Sequence, residues 1–253
     1  MASKTSIFSL LIVFLMSFSA LFGQKTSITV RAQAKDAKFI GTSIGGAQIM
    51  IKNAHSGEIL AEGFTSGSTG DTEKILKSPY KRNERITDET TAGFTAVLDL
   101  DKPVFVTVEA YAPVLKKQAA VLSSTQLWLI PGKNIDGEGL ILQIPGFVVD
   151  ILSPQTHEGL SADNEIEIKA NVVMMCGCPT SPDGTWDSNQ YEVSALITNE
   201  AGKTKEVPLK FADKTSTFAA STSLEKGYYQ LSVYAYDPIT GNTGLDQTAF
   251  IVN

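Results

Sequence analysis

Apolar and polar residues alternate with a period of two along several segments of this chain. In residues 165–172 the even positions are apolar, and in residues 191–197 the odd positions are apolar. A β-strand places successive side chains on opposite faces of its sheet, so this alternation predicts half-buried strands. Glycine-containing turns separate these segments, and helix-period patterns are scarce. The sequence therefore predicts an all-β fold.

We expect two β-sandwich domains, residues 24–145 and 146–253, joined near Pro145 without a long linker. A chain of 253 residues is long enough for two such domains. Residues 72–93 interrupt the first domain with a charged stretch, which predicts a long loop with room for a helical turn. Two interpretations stay open for this loop, a functional segment or a mobile surface excursion.

Residues 227–237 follow the pattern Gly-x-Tyr-x-Leu-x-Val-x-Ala-x-Asp, and Gly241-Asn242 supply a turn soon afterwards. This segment resembles the C-terminal hairpin of bacterial immunoglobulin-like domains. The resemblance implies a sandwich for residues 146–253, and it specifies no function. Asp237 and Asn242 either bind calcium or shape the turn through side-chain hydrogen bonds to the backbone.

The first domain carries a strand pattern at residues 46–51, a Ser-Gly turn at residues 56–57 and a returning strand at residues 61–65. Over about 30 residues this arrangement resembles the carboxypeptidase-regulatory or transthyretin-like sandwich. The chain departs from that pattern at residues 72–93, where the charged stretch is inserted.

The first 23 residues differ in composition from the rest of the chain. Lys4 is their only charged residue, and the apolar core at residues 9–16 is too short to span a bilayer as an ordinary helix. Small residues follow this core and end at Gly23. The pattern predicts a secretory signal peptide, cleaved after Gly23 or after Ala20, with an uncleaved anchor as the alternative. We therefore expect an exported protein, periplasmic or extracellular.

The charge balance and the missing motifs narrow the function classes. Without Lys4 the chain has 20 basic and 27 acidic residues, a net charge of −7. Such a balance argues against nucleic acid and anionic membranes as partners, and no later segment predicts a membrane span. The sequence contains no His-Glu-x-x-His or phosphate-loop motif, so we expect no enzyme. A protein or an envelope polysaccharide is the expected kind of partner.

Both cysteines of the chain lie at the end of a predicted strand, in the segment Met174-Met175-Cys176-Gly177-Cys178. If the strand stays extended, Met174, Cys176 and Cys178 share one face. Alternate Cα atoms on a strand are about 6.6–7 Å apart, at or beyond the usual reach of a disulfide. A Cys176–Cys178 disulfide therefore requires the chain to bend at Gly177.

Three interpretations of this segment stay open. The cysteines pair as a structural disulfide, which is usual in an oxidising compartment. Alternatively, Cys176 and Cys178, with the thioether of Met174, bind Cu(I), since soft sulfur ligands suit that ion. The third interpretation is thiol–disulfide exchange. A zinc site is disfavoured, because no further Cys or His lies nearby in sequence.

Trp186 lies in the loop that follows the cysteines and has two interpretations. It is either an exposed ligand-binding residue that stacks on a sugar or a partner, or the buried tryptophan of an immunoglobulin-like sandwich. Three functions follow from the sequence. The first is a non-catalytic binding or structural component of the cell envelope, the second a copper-binding or thiol-redox factor, and the third a carbohydrate-binding accessory module.

Overall fold

The computed structural model describes residues 23–79, 81–212 and 214–253, and the predicted signal peptide lies, except for Gly23, outside the described residues. The described chain is nearly all β, with sixteen strands. The strands are Gln24–Ala34 (β1), Gln48–Asn53 (β2), Ile59–Phe64 (β3), Phe94–Leu100 (β4), Val104–Ala112 (β5), Val121–Leu129 (β6), Ile135–Ile144 (β7), Phe147–Ser153 (β8), Gly159–Leu160 (β9), Ile166–Met174 (β10), Glu192–Asn199 (β11), Thr204–Pro208 (β12), Lys210–Phe211 (β13), Thr217–Thr222 (β14), Gly227–Tyr236 (β15) and Thr243–Val252 (β16).

Four sheets organise these strands into β-sandwich architecture. The N-terminal sheets have the orders β4-β1-β7 and β3-β2-β5-β6, and the C-terminal sheets have the orders β13-β14-β10-β8 and β12-β11-β15-β16-β9. Most neighbours are antiparallel, whereas β1 with β7 and β16 with β9 are parallel. The strands that precede Pro145 thus form one pair of sheets and the strands that follow it form the other.

Alternation in the sequence coincides with the burial pattern of the strands. Along β10 the residues Ile166, Ile168, Ala170, Val172 and Met174 are buried, while the residues between them are more exposed. The inward-facing residues of the sheets belong to one apolar cluster that extends through both halves of the chain. Burial of this apolar surface is the main term that stabilises such a fold.

Two local predictions differ from the structure. The sequence Asp-Gly-Glu-Gly at residues 136–139 predicts a turn, but β7 starts at Ile135, and these four residues bulge out of its ladder with β1. Gly137 and Gly139 take positive φ there, which favours glycine. Residues 205–211, which follow a predicted hairpin turn at residues 199–203, are also expected to form one strand. The structure divides it at Leu209, which is buried, so that β12 and β13 belong to different sheets.

Between residues 23 and 253, where the structure describes all but positions 80 and 213, helical structure is limited to short turns. A π-helical turn at Glu73–Lys77 lies in the predicted loop 72–93, and two 3-10 turns lie at Thr42–Ile44 and Ser188–Gln190. In the part of the chain that the structure describes, no helix is long and apolar enough to cross a membrane.

Candidate functional site

The cysteines lie in a tight turn at the end of β10, hereafter the cysteine turn, residues 174–178. The strand does not stay extended, because Gly177 takes the left-handed conformation with φ +77°. Its N–H donates to the carbonyl of Met174 at 2.7 Å, and the N–H of Met174 donates to the carbonyl of Cys178 at 3.0 Å. The chain thereby folds back on its own strand, and a bridge pairs Val173 with Pro179.

The fold-back brings the two sulfur atoms into contact as a disulfide pair. The Cα atoms of Cys176 and Cys178 are 5.4 Å apart, within the range of ordinary disulfides. The premise of an extended segment with both cysteines on one strand face is therefore wrong, since the strand ends at Met174. Gly177 supplies the bend because glycine adopts positive φ without a steric penalty.

The surroundings of the sulfurs bear on the predicted Cu(I) site. Cys176 and Cys178 are buried, and so is Met174, whose Sδ lies 3.9 Å from the hydroxyl of Tyr191. Among the described residues, no group of three or more Cys, His, Asp and Glu side chains is placed to hold a metal ion. The Cu(I) site at Cys176, Cys178 and Met174 stays a prediction.

Trp186 is buried, with 8% of its surface exposed. Its Nε1 donates to the backbone carbonyl of Asp36 at 3.0 Å. Asp36 follows β1 in the N-terminal sheets, whereas Trp186 precedes β11 in the C-terminal sheets. The indole thus bridges the two halves of the chain, and it presents little surface on which a sugar ring could stack.

Other contacts cross the same region, hereafter the junction. The side chain of Ile44, which is buried, lies so close to Gly177 that a Cβ atom added there would meet its Cδ1 at 3.3 Å. Asn242 is fully buried, its Oδ1 accepts from the N–H of Gly146 at 2.9 Å, and its Nδ2 donates to the carbonyl of Lys35 at 3.2 Å. Asn242 therefore fixes both a turn and the junction.

Asp237 shapes that same turn. Its carboxylate accepts from the N–H of Ile239 at 2.9 Å and from the hydroxyl of Thr240 at 2.6 Å. Local hydrogen bonds of this kind are what an aspartate at a turn provides.

Negative charge accumulates at the junction. Burial raises the pKa of Asp36, and the charge of Asp237 raises it further, while Lys35 opposes both. Burial also raises the pKa of the Tyr191 hydroxyl, with smaller contributions from the aspartates at positions 237, 36 and 187. The ionised form of Asp36 is thus less favourable in the folded protein than in water.

A third set of junction contacts surrounds Asp150 on β8. Its Oδ2 lies 2.8 Å from the Nζ of Lys116, and its Oδ1 accepts from the Nε2 of Gln118 at 2.6 Å. Gln118 also donates to the carbonyl of Val149 at 3.3 Å. The loop between β5 and β6 is thereby attached to the first C-terminal strand.

Beside these contacts the junction opens into a cleft of about 670 Å³. A loop of the N-terminal half forms one wall, and the outer face of β15 and β16 forms another. The lining residues are Gln118, Ala119, Val121, Pro145, Phe147, Glu192, Tyr234, Ala235, Tyr236, Thr243, Gly244 and Leu245. Ligand sites are typically clefts of 300–1,000 Å³ between domains, lined by apolar and aromatic groups with a few polar ones. This cleft is the candidate binding site, and the sequence did not reveal it.

The loop at residues 72–93 is attached through a buried arginine on β1. The guanidinium of Arg31 donates to the carbonyls of Thr91, Ala92, Gly137 and Glu138. Burial lowers the pKa of Arg31, although the carboxylates of the side chains at positions 138 and 88 oppose the shift. These bonds hold the far end of the predicted loop against the β7 bulge.

The carboxylate of Glu138 completes this attachment from the bulge. It accepts from the hydroxyl of Thr87 at 2.7 Å and from the N–H of Ile86 at 3.3 Å. No local sequence pattern indicates this contact, because Glu138 lies about 50 residues from Thr87 and Ile86.

The exposed tryptophan is Trp128 on β6, with 56% of its surface accessible. Its ring lies 5.0 Å from that of Phe105 on the neighbouring strand, at the outer face of the β3-β2-β5-β6 sheet. The alternation along β6, in which Leu129 is buried, is the sequence signal that places Trp128 outward.

Comparisons with known proteins add little beyond the fold. No protein-family model matches the chain, and no curated protein is significantly similar to it. Among solved structures, the chain is similar to the fibronectin(III)-like modules of Clostridium thermocellum CbhA, with 12% identity, 93% of this chain and 92% of that chain covered and a TM-score of 0.29. It is also similar to an ICAM-5 D1–D4 ectodomain fragment, with 9% identity, 92% and 50% covered and a TM-score of 0.29.

A third similar structure is titin Z1Z2 in complex with telethonin, at 8% identity, with 92% of this chain and 89% of that chain covered and a TM-score of 0.25. These neighbours are immunoglobulin-like and fibronectin-III-like modules. With TM-scores below 0.3, these similarities carry no weight for fold or function, which rest on this chain's own strands and residues.

Proposed function

We propose that this protein is an exported, non-catalytic component of the cell envelope, in which two β-sandwich modules are held at a fixed relative orientation. The modules are residues 24–145, with the loop at 72–93, and residues 146–253, and the fixed junction lets the protein act as a rigid spacer or binding arm. The observation that carries the proposal is the bridge from the indole of Trp186 to the carbonyl of Asp36.

The cysteine turn has a structural role in this proposal. Its bend places Gly177 against Ile44, and the disulfide of Cys176 and Cys178 holds the bend closed. Two cysteines of an exported protein usually pair, because the compartment is oxidising. The turn therefore serves as a preformed surface on which the first module packs.

Residual dipolar couplings test the fixed orientation directly. Alignment tensors fitted separately to residues 24–144 and 147–253 of the mature protein are expected to coincide in magnitude and direction. The exposed variant Trp128→Ala should keep this agreement, whereas Trp186→Ala should reduce it. Tensors that already differ in the unmodified protein would show that the modules move independently and would reject the spacer role.

Intact mass and thiol titration of exported protein test the cysteine turn and the export. The mass should correspond to a chain that begins at Gln24 and lacks two hydrogens, with no reactive thiol. Stoichiometric copper that disappears in the double variant Cys176→Ser, Cys178→Ser would instead favour the copper-binding function.

A further inference from the structure

The floor of the junction cleft is an aromatic strip on the outer face of β15. Tyr234 and Tyr236 alternate with the buried Val233 and Ala235, so both tyrosines project away from the core. Two residues along a strand are about 6.6–7 Å apart. The two rings are thus neighbours on one surface of the cleft.

The pairing of β15 with its neighbouring strands defines which residues lie beside Tyr234 and Tyr236. Tyr236 pairs with Glu192 on β11 and with Thr243 on β16, and Tyr234 pairs with Leu245 in the next row. Leu245 is 43% exposed and extends the apolar surface at the rim. One carboxylate therefore lies beside an aromatic and aliphatic floor.

Glu192 on β11 and Glu206 on β12 give this surface negative charge. Among the described residues, the ion pairs with Lys or Arg include neither Glu192 nor Glu206. The hydroxyl of Tyr234 donates to Glu206 Oε1 at 2.8 Å. No Lys or Arg lines the cleft, and the nearby Lys116 is paired with Asp150.

The same two carboxylates affect the pKa of Tyr234. A hydrogen bond with Ser194 lowers its pKa, but the hydrogen bond to Glu206, burial and the charges of Glu206 and Glu192 together raise it. A hydroxyl whose deprotonation is disfavoured by two carboxylates lies in a negative potential, which attracts cations.

We propose that the cleft is a docking site for a basic segment of a partner protein, with a Lys or Arg side chain lying on Tyr234 and Tyr236 and its cation directed to Glu192. The aliphatic stem of such a side chain suits the apolar rim, and its charge suits both the carboxylate and the aromatic faces. Complementary charge also argues against a second copy of this chain as the occupant, because the mature chain is acidic, with 20 basic and 27 acidic residues.

The test is a titration of ¹⁵N-labelled protein with a terminally blocked trilysine peptide, with triglutamate and triglycine as matched controls. Trilysine is expected to shift amide signals at residues 118–121, 192, 234–236 and 243–245, and the binding should weaken as salt increases. Triglutamate and triglycine should cause no such shifts.

Three variants locate the interaction. Glu192→Gln should weaken trilysine binding about threefold to tenfold through the loss of one charge-assisted contact. Leu245→Lys should abolish it by repulsion at the rim. Glu62→Gln removes a carboxylate from another sheet and should leave the affinity unchanged.

Two results would overturn the proposal. Trilysine shifts that spread over the acidic surface and survive both Glu192→Gln and Leu245→Lys would show unspecific attraction to an acidic protein. A neutral glucose oligosaccharide that shifts the cleft signals, where trilysine does not, would assign the cleft to a glycan. Neither result affects the fixed orientation of the modules, which the dipolar couplings measure separately.

Discussion

The junction has a closed part and an open part, and their residue types differ. The closed part contains Ile44, Gly177, Trp186 and Asn242, whose contacts leave little space between the two halves of the chain. The open part is the cleft on Tyr234 and its neighbours, where side chains of both halves surround about 670 Å³. The closed part provides rigidity, and the open part offers the carboxylate of Glu192 and an aromatic surface for binding.

The largest expected effect in the closed part concerns Trp186. Trp186→Ala should lower the free energy of unfolding by about 3 kcal/mol, because a buried ring and its hydrogen bond to Asp36 are lost. Chemical denaturation followed by circular dichroism measures the loss. The exposed control Trp128→Ala should cost below about 1 kcal/mol. Equal losses in the two variants would contradict a closed part centred on Trp186.

The next effect concerns the buried amide at the junction. Asn242→Ala should cost about 2 kcal/mol, since the N–H of Gly146 and the carbonyl of Lys35 lose their partner. Asn199→Ala is the matched control, because Asn199 caps an exposed hairpin through the N–H of Lys203 at 2.9 Å. We expect the control to lose less than half as much in the same denaturation assay, and a comparable loss would refute a special role of the junction amide.

The third prediction compares Gly177→Ala with a second glycine variant, so that the cost of backbone strain can be separated from the cost of pressing on the junction. Any residue but glycine is strained at φ +77°, by about 1 kcal/mol, and the new methyl group would also press on Ile44. Gly202→Ala has the same φ of +77° with nothing within 4 Å. Gly177→Ala should therefore lower the melting temperature more than Gly202→Ala does, and identical shifts would remove the cysteine turn from the closed part.

The smallest expected effect is a gain in stability, whereas the three variants above lose stability. The folded-state pKa of Asp36 is raised above its unfolded value, so its ionisation opposes folding at neutral pH, and stability is regained as pH falls through the folded pKa towards the unfolded one. Asp36→Asn should therefore stabilise the protein at pH 7, by at most about 0.5 kcal/mol, because the residue is only partly desolvated and keeps access to water.

Below pH 4 this gain should disappear, because the wild-type carboxyl is then protonated as well. Melting temperatures of both proteins between pH 3 and pH 7 measure the difference. A gain for Asp36→Asn that persists at pH 3 would contradict the electrostatic cause.

Much of the secondary structure could be predicted from local pattern. The strand pattern at residues 94–100 coincides with the bounds of β4, and β10 follows its predicted alternation. Both are local properties, because successive side chains of a strand alternate between the two faces of its sheet. The switch of sheets at Leu209 could not be predicted, since β12 pairs with β11 and β13 pairs with β14, and only the tertiary structure places these two pairs in different sheets.

The candidate site could be predicted less well than the strands. Gly177 as the point of bending was predicted correctly, because only a positive φ brings two cysteines of this spacing together. The cleft was missed, because Val121, Glu192 and Leu245 meet only across the junction. Trp186 lies in the polar segment 183–189, yet it is buried because its side chain contacts the other half of the chain, which no local pattern indicates.

The sequence by itself determined an all-β chain, the positions of most strands and the one segment in which sulfur chemistry is concentrated. These properties follow from side-chain alternation and glycine conformation, which act over a few residues. Only the tertiary structure decided that the cysteine turn contacts Ile44, that Asn242 joins two halves of the chain, and that Tyr234 and Tyr236 floor a cleft. Those contacts join residues separated by about a hundred positions or more, and the packing of the sheets brings them together.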